Sequence, residues 1–325
     1  MLLPQAEARE LAVRILVRHR MPRPHAEVVA GHLMDAMLAG HAFAGLPRLP
    51  AIVGELERKG PGGSIRVTAE TPVSASIDGG DINGYVVSLV AADKAVEIAR
   101  HSGIAVVGAH NTWFSGRLAY YVERIAKAGL VAVHTANTLA LVAPFGSADR
   151  ILGTNPIAFG FPCGDRPVIL DIGTSAVTWG EALLRQATAT PLDPNTAVDP
   201  RGRPTTDAGE ALAGAFLGWG GARGSCIAFA AQILGILAGS DPVLRDSRNF
   251  GLFFLAFRPD LLLAADLFAE RVAALREAVR RSRPAEGSGE VRMPGDRSQQ
   301  MRDANVAAPV ELDSAVYERL LALAG

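Results

Sequence analysis

Hydrophobic positions recur with two periods along this chain, and the change from one to the other organises it. In the first 58 residues the apolar side chains fall at helical spacing, as at Leu11, Ile15 and Leu16. Pro22 and Pro24 break that run. A second helix is predicted over 26–38, ending at Gly40, and a third over 49–56, stopping before the KGPGG stretch at 59–63. Ile65, Val67, Val73 and Ile77 then alternate with polar or small residues, the period of a strand. From Asp81 onward helix and strand patterns take turns, which makes the chain α/β. Helices are predicted over 86–101, 118–128, 224–239, 263–282 and 314–324, the first two closed by Gly103 and Gly129. Strands are predicted over 104–109, 130–135, 157–162, 168–172 and 249–258. Residues 188–208, rich in Pro, Asp and Thr, form a long loop, and PAEGSGE at 284–290 a mobile one. No internal repeat is visible.

Composition narrows the classes. A chain of 325 residues with 49% hydrophobic and 20% charged residues can bury a sizeable core, in two domains or one large one. The formal net charge of −1 gives no general attraction to nucleic acid or to an anionic membrane. The apolar run from Cys226 to Ala238 contains Gln232 and a glycine, and it falls short of the roughly 18 residues of a membrane span. The first residues, MLLPQAEARELAVRIL, are charged and amphipathic and lack a signal-peptide core. Cys163 and Cys226 are too few for a disulfide framework. Seven histidines and two cysteines show no tight metal-ligand spacing, so no metal is expected. The expectation is a soluble cytoplasmic protein.

Three glycine-bearing segments could carry chemistry: LGTNP at 152–156, DIGTSAVTWG at 171–180 and GWGGARGS at 218–225. Clustered backbone N–H groups, small hydroxyl residues and Arg223 at a helix start suit a phosphate. Taken singly, each is equally well read as a turn. No G-x-G-x-x-G follows an early strand, and neither G-x-S-x-G nor a P-loop occurs. Rossmann, α/β-hydrolase and NTPase readings therefore find no support.

Taken in order, these segments resemble the malate/L-lactate dehydrogenase-like reductases, over nearly the whole chain. The resemblance rests on N-T-x-x-x-G at 111–116, LGTNP, D-x-x-T-S-x-V-x-x-G at 171–180, D-x-x-G-x-P-T-T-D at 199–207, G-G-x-R-G at 220–224 and M-P-G-D at 293–296. It implies a non-Rossmann NAD(P)-binding domain with a mixed sheet, here at 76–284, beside a mainly helical domain built from the chain ends, 1–75 and 285–325. It implies a homodimer, and NADPH or NADH as cofactor. Carried over, the cofactor contacts fall on Asp171, Gly173, Thr174 and Ser175 within 171–177, on Ala222 and Arg223, and on Gly295, Asp296 and Arg297 in a loop. Such proteins act on small carboxylates: 2-oxo acids, ureidoglycolate or cyclic imines.

One departure bears on chemistry. The family's N-terminal motif reads G-H-x-S-H-G-x-x-R-x-P, whereas residues 40–50 are GHAFAGLPRLP. Gly40, His41, Gly45, Arg48 and Pro50 match, but Phe43 and Ala44 replace the Ser-His pair. A second family histidine falls on Phe114. Neither alanine nor phenylalanine transfers a proton, and general acid–base help contributes roughly 10²–10⁴-fold. Three readings stay open: a reductase of a cyclic imine carboxylate, whose protonated substrate needs an acid less; a 2-oxo acid reductase with a substitute acid, His41 first and His110, Tyr120, Tyr121 or His134 next; or a repurposed scaffold without redox activity. Arg48 survives in each, as a candidate to hold the substrate carboxylate.

Overall fold

The computed structural model describes all 325 residues. Strand β1 (Leu2–Leu3) leads into α1 (Gln5–Arg18), α2 (Arg23–Leu38) and α3 (Leu49–Lys59), with 3₁₀ turns at Ala42–Ala44 and Leu46–Arg48 before α3. Then come β2 (Arg66–Thr71), β3 (Ser74–Asn83), α4 (Gly84–Ser102), β4 (Ile104–Trp113), α5 (Ala119–Lys127), β5 (Val131–Ala136) and the short β6 (Val142–Ala143). The middle of the chain forms β7 (Ile157–Phe161), β8 (Val168–Ile172), α6 (Trp179–Ala187), β9 (Ala197–Val198), β10 (Pro204–Thr205), α7 (Ala208–Ala213), β11 (Ala215–Leu217) and α8 (Ala222–Leu237). It ends with β12 (Leu252–Phe257), α9 (Ala265–Arg280), α10 (Asp296–Asn305), β13 (Val310–Glu311) and α11 (Ser314–Ala324).

The main sheet has seven strands in the order β2-β3-β4-β12-β5-β7-β8. Only β3 and β4 run parallel, joined through α4; every other neighbour is antiparallel. A Rossmann sheet is parallel, so the non-Rossmann expectation is met. The alternation read in IAVVGA is a register: Ala105, Val107 and Ala109 lie opposite Ala256, Phe254 and Leu252, and all six are fully buried. Sinking a Leu, Val or Phe side chain this way contributes roughly 1.5–3 kcal/mol each. No helix is long and apolar enough to cross a membrane.

One core of 48 buried residues runs from α1 to α4, through the sheet, and on to Leu320 of α11. The division expected at residues 75 and 285 therefore does not fall at a gap in the core. A second core of ten residues, including Val177, Ala182, Phe216 and Ala228, sits under α6 to α8 beside the four-stranded sheet β10-β9-β11-β6. The loop expected at 188–208 holds two of those short strands, and the loop expected at 295–297 is the start of α10. The α10 sequence, DRSQQMRDAN, has no apolar stripe, so helical periodicity had nothing to register there.

Candidate active site

A cavity of about 540 Å³ opens beside β8, the last strand of the sheet. Residues 166–172 form its floor. One wall is the 3₁₀ turn with His41, Phe43 and Ala44; another is α10 with the turn before it, 294–302. Arg117, Ala119 and Glu123 close it at the start of α5, and Arg276 and Arg280 reach in from α9. Gly295 makes the approach of α10 to β8 possible. It has φ +88°, and a Cβ there would lie 2.8 Å from the Ile169 carbonyl oxygen.

Six arginines line this space against three carboxylates. Asp296 is gripped by both Arg280 nitrogens, at 2.6 and 2.9 Å, and accepts the Met293 N–H. The Arg280 hydrogen bond holds its pKa below the usual range. Arg302 pairs with Asp35 at 2.9 Å and with Glu123 at 2.6 Å, and Arg117 pairs with the same Asp35 at 3.0 Å. Burial pushes the Glu123 carboxyl up, but Arg302 and Lys127 together outweigh it and hold it low. Arg297 makes no ion pair and faces the cavity free. A site with this balance takes anions.

His41 has a ring nitrogen 2.9 Å from the Ser298 hydroxyl. Burial, then the charges of Arg117, Arg297 and Arg302, lower its pKa to about 4. Asp171 accepts the Ala119 N–H at 2.8 Å and makes no ion pair. Solvent reaches it through the cavity, but the protein packed around it raises its pKa, against the pull of the Ala119 and Leu118 N–H groups and of Arg117.

The cavity thus gathers His41, Asp171, Gly295, Asp296 and Arg297. Gly173, Thr174, Ser175, Ala222, Arg223 and Arg48 lie outside its lining. From Asp171 the chain leads away as a strip: Thr174 donates its hydroxyl to the Thr154 carbonyl at 2.9 Å, and Ser175 bridges to Gly218. The Trp219 N–H bonds the Thr174 carbonyl at 2.8 Å. That ties the strip to the start of α8, where Gly221 at φ +67° leaves Ala222 and an unpaired Arg223 exposed. Arg48 lies with its guanidinium carbon 5.0 Å above the Phe114 ring, in the field of the Tyr85 phenol, without a carboxylate partner. Phe114 itself holds φ +60°, a costly conformation for an aromatic residue. Trp113, fully buried, is core.

None of the other substitute acids reaches the cavity. His134 is buried and stacked on Phe254 at 3.7 Å, with its pKa driven to about 3 by burial. Tyr121 is buried, Tyr120 lines a separate groove on the far side of Glu123, and His110 packs against Gly239. Conversely, the sequence reading missed Arg117, Glu123, Ser298 and Arg302. Arg117 directly follows the N-T-x-x-x-G motif, and Ser298 and Arg302 follow Arg297 on one short helix.

The model of the family described as malate/L-lactate dehydrogenase matches residues 3–321. The chain belongs to that family. It is 33% identical to an L-sulfolactate dehydrogenase of Methanothermobacter thermautotrophicus, over 99% of this chain and 95% of that one. It is equally 33% identical to a Δ1-pyrroline-2-carboxylate/Δ1-piperideine-2-carboxylate reductase of Pseudomonas aeruginosa, over 98% of this chain and 97% of the other. Among solved structures, the Δ1-piperideine-2-carboxylate reductase of Pseudomonas syringae pvar. tomato superposes with a TM-score of 0.88 at 26% identity, covering 99% of both chains. Family membership accounts for the ordered motifs and for a sheet that is neither Rossmann nor fully parallel.

Proposed function

We propose that the protein is an NAD(P)H-dependent reductase of a small carboxylate, a cyclic imine carboxylate or a 2-oxo acid, and that the imine is its better substrate. The observation that carries this is an arginine-lined cavity walled by Ala44, the position where the motif resemblance places a histidine. A ketone needs a proton as charge develops on oxygen, whereas an iminium already carries one.

The bound nicotinamide would supply hydride. The residues fit a dinucleotide: unpaired cations stand at both ends of the strip, Arg297 by the cavity and Arg223 at the start of α8, where free N–H groups suit a phosphate. On this reading Asp171, Gly173, Thr174, Ser175, Ala222, Arg223, Gly295, Asp296 and Arg297 form the cofactor path. Arg48 holds the substrate carboxylate, and His41 orients Ser298. NADH and NADPH both fit these groups.

The protein acts as a homodimer. Its accessible surface is 15457 Å², whereas a monomer of 34.1 kDa exposes about 12,800 Å². On α8, Ile227, Phe229, Ile233, Ile236 and Leu237 are exposed along a stretch, residues 224–237, that carries no charge. That surplus area matches what a permanent dimer buries per subunit.

The test is to follow NADH and NADPH absorbance with piperideine-2-carboxylate and pyrroline-2-carboxylate against pyruvate and oxaloacetate. Higher kcat/KM on the imines is expected. Faster turnover of the 2-oxo acids refutes the preference, and no turnover with either class refutes the reductase reading.

A further inference from the structure

We propose that Phe43 sets the specificity of this cavity: its ring seats the apolar carbon skeleton of a ligand that carries a single carboxylate, and so disfavours a ligand with a second anionic group. The proposal rests on the reductase reading and names, within it, the part of the substrate that the hydride does not touch.

Three departures from the motifs run in one direction. Phe43, Ala44 and Phe114 stand where the resemblance places a serine and two histidines, so three polar positions are all apolar here. Phe43 and Ala44 line the cavity, and Phe114 lies beneath the Arg48 guanidinium with 5.0 Å between the guanidinium carbon and the ring centre. Loss of proton transfer needs only a side chain that does not titrate, and a small polar residue would serve. Rings and a methyl group at all three places instead make a new contact surface, one that attracts carbon.

Phe43 carries most of that surface. Its side chain is an aromatic ring left 54% exposed at the edge of a cavity. The turn beneath it is fixed: the Ala44 N–H bonds the His41 carbonyl and the Arg48 N–H bonds the Gly45 carbonyl, both at 2.9 Å, and the His41 ring meets the Ser298 hydroxyl. Across from the ring, Gly180 at the start of α6 leaves it room, since a Cβ there would lie 3.1 Å from Phe43 Cδ2. A ring held in water by a fixed backbone gains free energy when an apolar face covers it, and a flat or cyclic ligand presents such a face.

Charge sets the other limit. Six guanidiniums line the cavity, but Arg117 and Arg302 share Asp35, Arg302 also holds Glu123, Arg280 holds Asp296 and Arg166 holds Asp303. Arg276 donates to the Arg166 carbonyl at 2.9 Å. With Asp171, five carboxylates therefore stand against six arginines. Arg297 stays free and lies on the cofactor path, which leaves Arg48 for one substrate carboxylate. A second anion would meet Phe43 and Ala44 and lose hydration without gaining a cation.

Phe43→Ser changes an exposed position, so Tm near wild type is expected. The decisive probe is binding, which needs no turnover: isothermal titration with pyridine-2-carboxylate, a flat ring bearing one carboxylate, and with succinate, which bears two, each with and without the oxidised nicotinamide dinucleotide. Wild type should bind the ring about tenfold more tightly than succinate, Phe43→Ser should remove most of that ratio, and Phe43→Leu should keep part of it. In turnover of piperideine-2-carboxylate, Phe43→Ser should raise KM and leave kcat close to wild type. Preference of wild type for succinate, binding of neither ligand, or a ratio that Phe43→Ser changes by less than about threefold overturns the proposal. The expected ratio in a protein that turns over neither substrate class supports the role of Phe43 and overturns the reductase reading, so the two failures are told apart.

Discussion

Arg302 should hold α10 on the cavity, and its removal should detach that helix while the rest of the fold stays intact. The ten residues of α10 include none that is buried, so almost no hydrophobic burial keeps it in place. Its attachments are polar. Arg166–Asp303 at 2.9 Å is exposed on both sides and is worth at most about 1 kcal/mol. The Asn305 amide donates to the Leu38 carbonyl at 3.1 Å, and Ser298 meets His41. Arg302 is different: its side chain is 19% exposed and spans Asp35 and Glu123, themselves 22% and 10% exposed. Removing one partner of a buried pair costs about 3–5 kcal/mol when the other charge is stranded. In Arg302→Met neither carboxylate is stranded, since Asp35 keeps Arg117 and Glu123 keeps Lys127. The expected cost is therefore smaller, about 2–3 kcal/mol.

That energy secures α10 locally, so it should appear as local opening. At about 1.4 kcal/mol per decade, amide exchange across residues 293–305 should speed up roughly 30- to 140-fold, while the β4, β5 and β12 amides keep their protection. Because α10 carries Arg297 and Ser298 to the cavity, KM should rise more than kcat falls. Hydrogen-exchange mass spectrometry of wild type and Arg302→Met, at low and high salt, reads both effects. Unchanged α10 exchange in the variant, or equal acceleration in the central strands, refutes the reasoning.

Two further expectations concern the whole molecule. His32 and His134 are fully buried, and burial lowers both to about 3, so the folded state keeps them neutral while the unfolded chain protonates them near pH 6.5. Their contribution is complete above that value and is lost as pH falls from 6.5 toward 3, by up to about 2.7 kcal/mol per pH unit for the pair; urea unfolding at neutral and mildly acid pH tests this, and equal stability at the two would refute it. Ile233→Glu, at a position 61% exposed on α8, should leave the subunit folded yet convert a dimer to monomers in analytical ultracentrifugation; a variant that sediments with wild type places the interface elsewhere.

Legibility followed burial. Where a side chain's surroundings repeat with the element's period, as in β4 between β3 and β12 or in α4 against the sheet, the alternation of apolar residues located the element to within a few positions. Where an element is held by charge, as α10 is, no period exists and the helix went unread. The same distinction governs the site. Asp171, Arg223, Gly295 and Asp296 sit in ordered motifs, with Arg297 just after one, so a linear reading could name them as candidates. Arg117 and Arg302 meet on Asp35 of α2, Arg302 also holds Glu123 of α5, and this network of distant chain segments exists only after folding.

The identities of Phe43, Ala44 and Phe114 were legible as well, because a departure from an expected motif can be read directly. The surroundings of the remaining carboxyl groups were not. In the chain, Asp171 and Asp296 are two similar carboxylates, each within a motif. Only the tertiary structure separates them, by giving Asp296 an arginine clamp and Asp171 a backbone N–H and no cation. The difference between a carboxylate clamped by a guanidinium and one held only by a backbone N–H lies in those partners, which are 16 positions from Asp296 and 52 from Asp171 in the sequence.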